Sequence, residues 1–161
     1  MTNQETQLVK GHALLLANKG QLALFGTPAA LTQETLEQGQ NINDMTIPVP
    51  WHPTAFTSHP FGKNAENLWG KIVNWRTATS YDATLAIIKG LQQSNTRDQL
   101  QKTLYSNSFS VDGATGKIQF LQSGDRKDNK DNPIFLVKVQ QIPGTDKYKF
   151  VPINKFVPIK P

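Results

Sequence analysis

The sequence contains no cysteine, and that one absence excludes disulfides, thiolate zinc sites, iron–sulfur ligation and cysteine nucleophiles together. Arginine is scarce: it stands only at positions 76, 97 and 126 and never in a cluster. The side chain suited to bidentate phosphate and guanine contacts is therefore in short supply. Long apolar runs are missing too. The longest, Ala13-Leu14-Leu15-Leu16-Ala17, falls far short of the roughly 20 residues that cross a bilayer, so no membrane insertion is expected. Polar residues precede that run, and Asn18-Lys19-Gly20 follows it where a small-residue cleavage site would stand, so it is not expected to serve as a signal peptide.

What is present suits a small folded protein. The apolar share of 37% is low for a globular chain but too high for a disordered one, and 161 residues is the length of a single domain by default. The net charge of +5 is unevenly placed. Residues 1–100 carry seven basic and seven acidic side chains, whereas residues 101–161 carry ten and five. Nine of those ten are Lys, which fits a solvated lysine face on a small sheet better than a nucleic-acid surface.

In chain order, Thr2-Asn3-Gln4-Glu5 has the form of a capping box, and Leu8, Val9, Leu15 and Leu16 recur at helical spacing until Asn18-Lys19-Gly20. Gln21–Phe25 reads as a short buried strand closed by Gly26, so the Gly26-Thr27-Pro28 turn lies at the carboxyl edge where open α/β sheets place ligands. A short helix follows from about Thr32 to Gln38. Met45–Pro50 alternates like a strand, but its two prolines are incompatible with a central ladder position and suggest a connector between two bodies. After Pro60, residues Phe61, Ala65, Leu68, Trp69, Ile72 and Trp75 form one apolar helical stripe, and Tyr81, Leu85, Ile88 and Leu91 form another. Thr96–Gln99 is a second capping box. Lys117–Leu121, Pro133–Val139 and Tyr148–Val151 read as strands.

Chemistry-bearing patterns are sparse. There is no nucleophile elbow, dinucleotide fingerprint or phosphate-binding lysine loop, so no catalytic residue is assigned and no enzyme is expected. The histidines, His12, His52 and His59, lack metal-ligand spacing. Asp125, Asp128 and Asp131 fail the alternation of a calcium loop and are interleaved with Arg126, Lys127 and Lys130, as in a solvated hairpin tip. No metal or cofactor is implied. Trp51 stands on the proline-rich connector without a periodic partner, which makes it a candidate ligand-facing aromatic.

Taken in order, Leu22-Ala23-Leu24-Phe25-Gly26, Pro48-Val49-Pro50, Tyr81-Asp82-Ala83, Phe109–Gly116, Phe120 and Gly124-Asp125 resemble one family. It is the type I periplasmic solute-binding proteins of the branched-chain amino-acid class. Trp69-Gly70 and Asn74–Ala78 are similar to cyanobacterial-style members. The resemblance implies an α/β clamshell of Rossmann-like lobes joined by hinge crossings, of which this chain is the C-terminal part. Residues 1–47 would end the second lobe, 48–116 would supply helices to the first, and 117–161 would return to the second.

By the same resemblance, the chain would be a ligand-binding module of an ABC importer, located in the periplasm or otherwise outside the cytoplasm. Its partners would be a small polar solute such as an amino acid, an ABC permease and the missing N-terminal part of the fold. A sensory receptor domain and a non-functional truncated fragment are the alternatives. Thr27, Tyr81 and Trp51 are the candidate ligand contacts. Family members that bind amino acids place an acid in the loop after the Leu22–Phe25 strand, whereas here Gly26-Thr27-Pro28-Ala29-Ala30 offers none before Glu34. Exposed apolar helix faces and an aggregation-prone isolated product are also expected.

Overall fold

Lys19 (φ 48°) and Gly20 (φ 73°) turn the chain out of its first helix where the sequence places the stop. The computed structural model describes residues 3–54, 59–71, 73–127 and 134–155. Thr2, Ile72, Asp128, Lys130, Asp131 and Pro133 lie outside them. The described chain divides into two units: one takes in residues up to Val49 and those from Ile134 onward, and the other runs from Pro50 to Lys127.

In the first unit, α1 (Asn3–Asn18) lies against a 3-10 turn at Gly39–Ile42. A short α2 (Gln33–Leu36) starts at Thr32, whose hydroxyl accepts from the Thr35 N–H. The sheet has the order β1-β4-β5, all antiparallel, from β1 (Thr46–Val49), β4 (Phe135–Gln141) and β5 (Tyr148–Lys155). Alternation sets its buried face: Ile47 and Val49 meet Phe135, Val137 and Val139, with Ile42 and Met45 completing the core. Pro48 is accommodated because β1 pairs with only one named strand, and Pro152 because β5 is an edge. Met45–Pro50 is thus a paired strand up to Val49, and only from Pro50 does the chain pass to the other unit.

The Gln21–Phe25 segment corrects the expectation of a buried strand. Leu22 is 74% and Phe25 80% exposed, and pairing is limited to one parallel bridge, Phe25 with Thr46. That bridge consists of Gly26 N–H to Thr46 O and Thr46 N–H to Leu24 O, both 2.9 Å. The next N–H donors of such a ladder would come from residues 48 and 28, and both are proline. At Leu22 the Asn18 side chain takes the place of a neighbouring strand, giving to the Leu22 carbonyl and accepting from its N–H at 3.0 Å each.

In the second unit, the stripe expected across Phe61–Trp75 is two helices. Gly70, at φ 66°, ends α3 (Phe61–Trp69) in a left-handed cap, and the Asn74 side chain opens α4 (Trp75–Leu91) by accepting from Arg76 N–H at 2.9 Å. Trp69 is half exposed instead of core. Helix α4 buries Ala78, Asp82, Ala86 and Gly90, while Tyr81, Ile87, Ile88 and Leu91 face outward. The face read from its large apolar residues is therefore the exposed one. Small residues line the inner face because backbone and side chains of α5 (Arg97–Leu104) and of the hairpin β2 (Val111–Gly113) and β3 (Gly116–Ile118) come close to it. Thr96 caps α5 by accepting from Gln99 N–H, and the Gln99 side chain accepts from Asn95 N–H. Because β3 pairs with β2 and Phe120 bridges Arg126, residues 117–127 group with the helices and not with the later strands.

Candidate ligand-binding site

Thr27 belongs to the first unit. It precedes a 3-10 turn at Pro28–Ala30, its backbone is extended (φ −88°, ψ 165°), and its hydroxyl makes no capping bond. The side chain is exposed, directly after the Gly26–Thr46 bond that anchors the turn. A cleft of about 720 Å³ in the same unit is lined by Lys19, Gln40, Asn41, Asp44, Thr46 and Lys138 among others, and Thr27 is not in its wall. In its lining Lys138 Nζ meets Asp44 Oδ1 at 3.2 Å, both partly solvated, a pair that contributes about 0–1 kcal/mol.

Trp51 and Tyr81 belong to the second unit and meet through one residue. Phe61 packs edge-on against Trp51 (5.6 Å between centroids) and tilted against Tyr81 (4.6 Å). Trp51 is 2% exposed and forms a core with Phe61, Ala65, Val73, Ala78 and Ala114, against which Trp75 packs. Its indole Nε1 is buried and has no hydrogen-bond partner among the described residues. Tyr81, 39% exposed, stands in the second turn of α4 with the His59 ring 6.3 Å away. His59 Nδ1 accepts the Phe61 N–H, and His52 Nδ1 lies 2.9 Å from the Thr54 hydroxyl. Burial holds the His52 imidazolium below the usual histidine range.

The most specific stretch of the sequence resemblance, Tyr-Asp-Ala followed by Asp-Gly-Ala-Thr-Gly and Gly-Asp, builds a buried polar junction. Asp82 is 4% exposed. Its Oδ1 accepts from Ala114 N–H at 2.6 Å, and its Oδ2 accepts from the Thr115 N–H at 3.1 Å and from the Thr115 hydroxyl. Arg126 Nη1 gives to Thr115 Oγ1 at 2.6 Å and stands 3.9 Å from Asp82 Oδ2, while Nη2 gives to the Lys117 carbonyl. Burial lowers the Arg126 pKa and the Asp82 charge raises it. Arg126 is therefore turned inward, not exposed on a hairpin tip, and Asp125 is tied into a tight turn with Ser123. Sequence reading missed this junction as a site of its own. A charged residue between Ala78 and Ala86 on a helix, paired with a glycine hairpin, was its available signal.

No family model and no curated relative matches the chain. Among solved structures, a leucine-binding protein from Thermotoga maritima is 21% identical with a TM-score of 0.61, covering 88% of this chain and 42% of its own. A leucine-, isoleucine-, valine-, threonine- and alanine-binding protein from Brucella ovis, in a closed conformation, is 16% identical with a TM-score of 0.66, covering 92% and 41%. An extracellular ligand-binding receptor from Desulfohalobium retbaense gives 18%, 0.62, 94% and 25%. The chain thus has the type I periplasmic-binding-protein fold and spans about two fifths of the length of the first two structures it matches. Among the described residues no helix is long and apolar enough to cross a membrane.

Proposed function

We propose that the chain is the C-terminal, ligand-binding part of an ABC-importer substrate-binding protein that works outside the cytoplasm. The observation that carries this reading is a match to solute-binding structures over roughly nine tenths of the chain, combined with backbone that leaves one unit at Val49 and re-enters it by Ile134. Such a protein acts by binding. A solute that contacts both bodies binds the closed arrangement better than the open one and shifts the population by that difference.

Thr27 and Tyr81 supply the solute with a hydroxyl and a phenol, and Trp51 supports Tyr81 through Phe61. The loop beside Thr27 has no carboxylate, and a charge-assisted bond to an ammonium contributes about 1.5–3 kcal/mol. The solute is accordingly a small polar molecule, and any α-amino group it carries is met from outside residues 26–33.

The test is recovery of the native product from source cells with an antibody raised against this chain, followed by native mass spectrometry. The expected product exceeds 17.9 kDa, lies in the extracytoplasmic fraction and releases a small polar solute on denaturation. A 17.9 kDa cytoplasmic monomer that releases none overturns the reading. A product continuous with a kinase domain assigns the module to signalling instead of import.

A further inference from the structure

β5 carries the first half of a tandem repeat. Lys149-Phe150-Val151-Pro152-Ile153-Asn154 is followed at once by Lys155-Phe156-Val157-Pro158-Ile159-Lys160, identical at the first five of six positions. β4 pairs with the first copy: Val139 lies opposite Phe150, Lys138 opposite Val151 and Val137 opposite Pro152. Val137 and Val139 are fully buried, so Phe150 and Pro152 stand on the core face of β5. The backbone bonds of Val139 run toward β1: its N–H gives to Met45 O at 2.9 Å and its carbonyl accepts from Asp44 N–H at 3.0 Å. The Val139–Phe150 pair is therefore a non-hydrogen-bonded one, and by alternation Pro152, two residues on, turns its missing donor away from β4.

We propose that the second copy is a spare edge strand: the chain slips by six residues against β4, and Phe156, Val157 and Pro158 take the places of Phe150, Val151 and Pro152. Three constraints select that shift. An odd shift turns the Phe and Val side chains to the wrong faces and aims a proline at β4, where a donor is needed. A shift of two or four no longer sets a Phe opposite Val139. The irregularity between Leu136 and Val137 passes over Ile153 beside Pro152, and a shift of six returns an isoleucine and a proline to it. The outer edge of β5 is closed to the second copy, since Pro152 presents no donor there and β5 runs to Lys155, which leaves no residues for a hairpin turn. The resting register is favoured by the turn, where Ile142 N–H gives to Lys147 O at 2.8 Å and Gln141 Nε2 to Thr145 O at 2.7 Å. Slipping gives these bonds up and lengthens the loop after Gln141 from six residues (142–147) to twelve (142–153), which by itself disfavours closure only about threefold.

Engineered cysteine pairs test it, since the chain has none of its own. In the resting register Gln141 faces Tyr148, another non-hydrogen-bonded pair, whereas Asn154 lies opposite Leu136, about 17 Å along β4 and beyond disulfide reach. In the slipped register Asn154 faces Gln141. Gln141→Cys with Tyr148→Cys therefore reports the first copy, and Gln141→Cys with Asn154→Cys the second. Oxidised below micromolar concentration and read by mass spectrometry, the full chain should close the 141–148 pair and leave the 141–154 pair mostly open. Phe150→Asp, which puts a charge on the core face, should raise closure of 141–154 at least about tenfold, and adding Phe156→Asp should abolish that rise. A 141–154 pair that stays open in Phe150→Asp overturns the proposal. Closure that survives Phe156→Asp overturns it too, because an unfolded chain closes without a register. A disulfide between two chains makes another molecule's strand the occupant of β4, and that result also overturns it.

Discussion

Asp82 and Ala114, 32 residues apart, are joined by a 2.6 Å bond from the Ala114 N–H to the Asp82 Oδ1. A carboxylate on the inner face of a helix thereby holds the tip of a hairpin, and Thr115 and Arg126 complete its coordination. Removing it strands the Ala114 and Thr115 donors and deprives a half-buried guanidinium of its counter-charge. Asp82→Ala is therefore expected to lower stability by about 3–5 kcal/mol, read from denaturant unfolding. Asp82→Asn, which keeps the shape and one acceptor, costs less.

Gly113 is required by the same carboxylate. A Cβ there would collide with Asp82 Oδ1 and with the Ile118 side chain, inside β2 where neither can easily retreat. Gly113→Ala is expected to cost about 1–3 kcal/mol, and the double variant Gly113→Ala/Asp82→Ala should show a coupling of part of that size, because the collision with the carboxylate disappears while the one with Ile118 remains.

His52 gives the second unit a pH dependence. Burial disfavours its charged form in the folded state, so below about pH 6.5 the unfolded chain binds more protons than the native one, and stability falls as the pH drops from there toward 5. An NMR titration of the His52 ring should show a midpoint below that of an unfolded peptide, and His52→Gln should flatten the melting temperature between pH 7 and pH 5.

Leu68 and Trp69 on α3 and Ile87, Ile88 and Leu91 on α4 are large apolar side chains left about half or more exposed. The isolated chain is expected to self-associate at micromolar concentration, visible by light scattering. Ile88→Lys with Leu91→Lys should suppress this while lowering the unfolding free energy by no more than about 1 kcal/mol, since both side chains are about half exposed. A soluble monomer that melts cooperatively without these substitutions would count against an uncovered face.

Thr27 lends itself to a direct test of the ligand contact. Its hydroxyl has no capping role, so Thr27→Ala should leave the fold unchanged. In the solute-loaded product, loss of one neutral hydrogen bond should weaken binding roughly fivefold by calorimetry.

Much of this architecture was legible in the sequence because local signals and tertiary context agreed. Asn18-Lys19-Gly20 ended a helix, Thr96 and Gln99 capped another, and β4 and β5 overlap the strands read at Pro133–Val139 and Tyr148–Val151. The Gly70 stop and the Asn74 cap were equally available but were overridden by an apolar period that runs through both helices. Where large side chains face solvent and small ones face the core, as on α4, period alone chooses the wrong face, because it weighs hydrophobicity and not closeness of approach. The Gln21–Phe25 strand failed for another reason: the composition of a strand is local, whereas its burial needs neighbours that residues 26–28 and 48 cannot provide. Of the candidate contacts, Trp51 and Tyr81 converge on Phe61 while Thr27 stands in the other unit, a grouping that no spacing along the chain announces.

Asn18 ends α1 and, through one carboxamide, grips the first residue of the segment that leaves it. A primary amide can imitate a peptide group only because it offers a donor and an acceptor side by side, which Asp, Ser or Leu cannot do. The exit direction of the chain is thus set from the last turn of the helix itself.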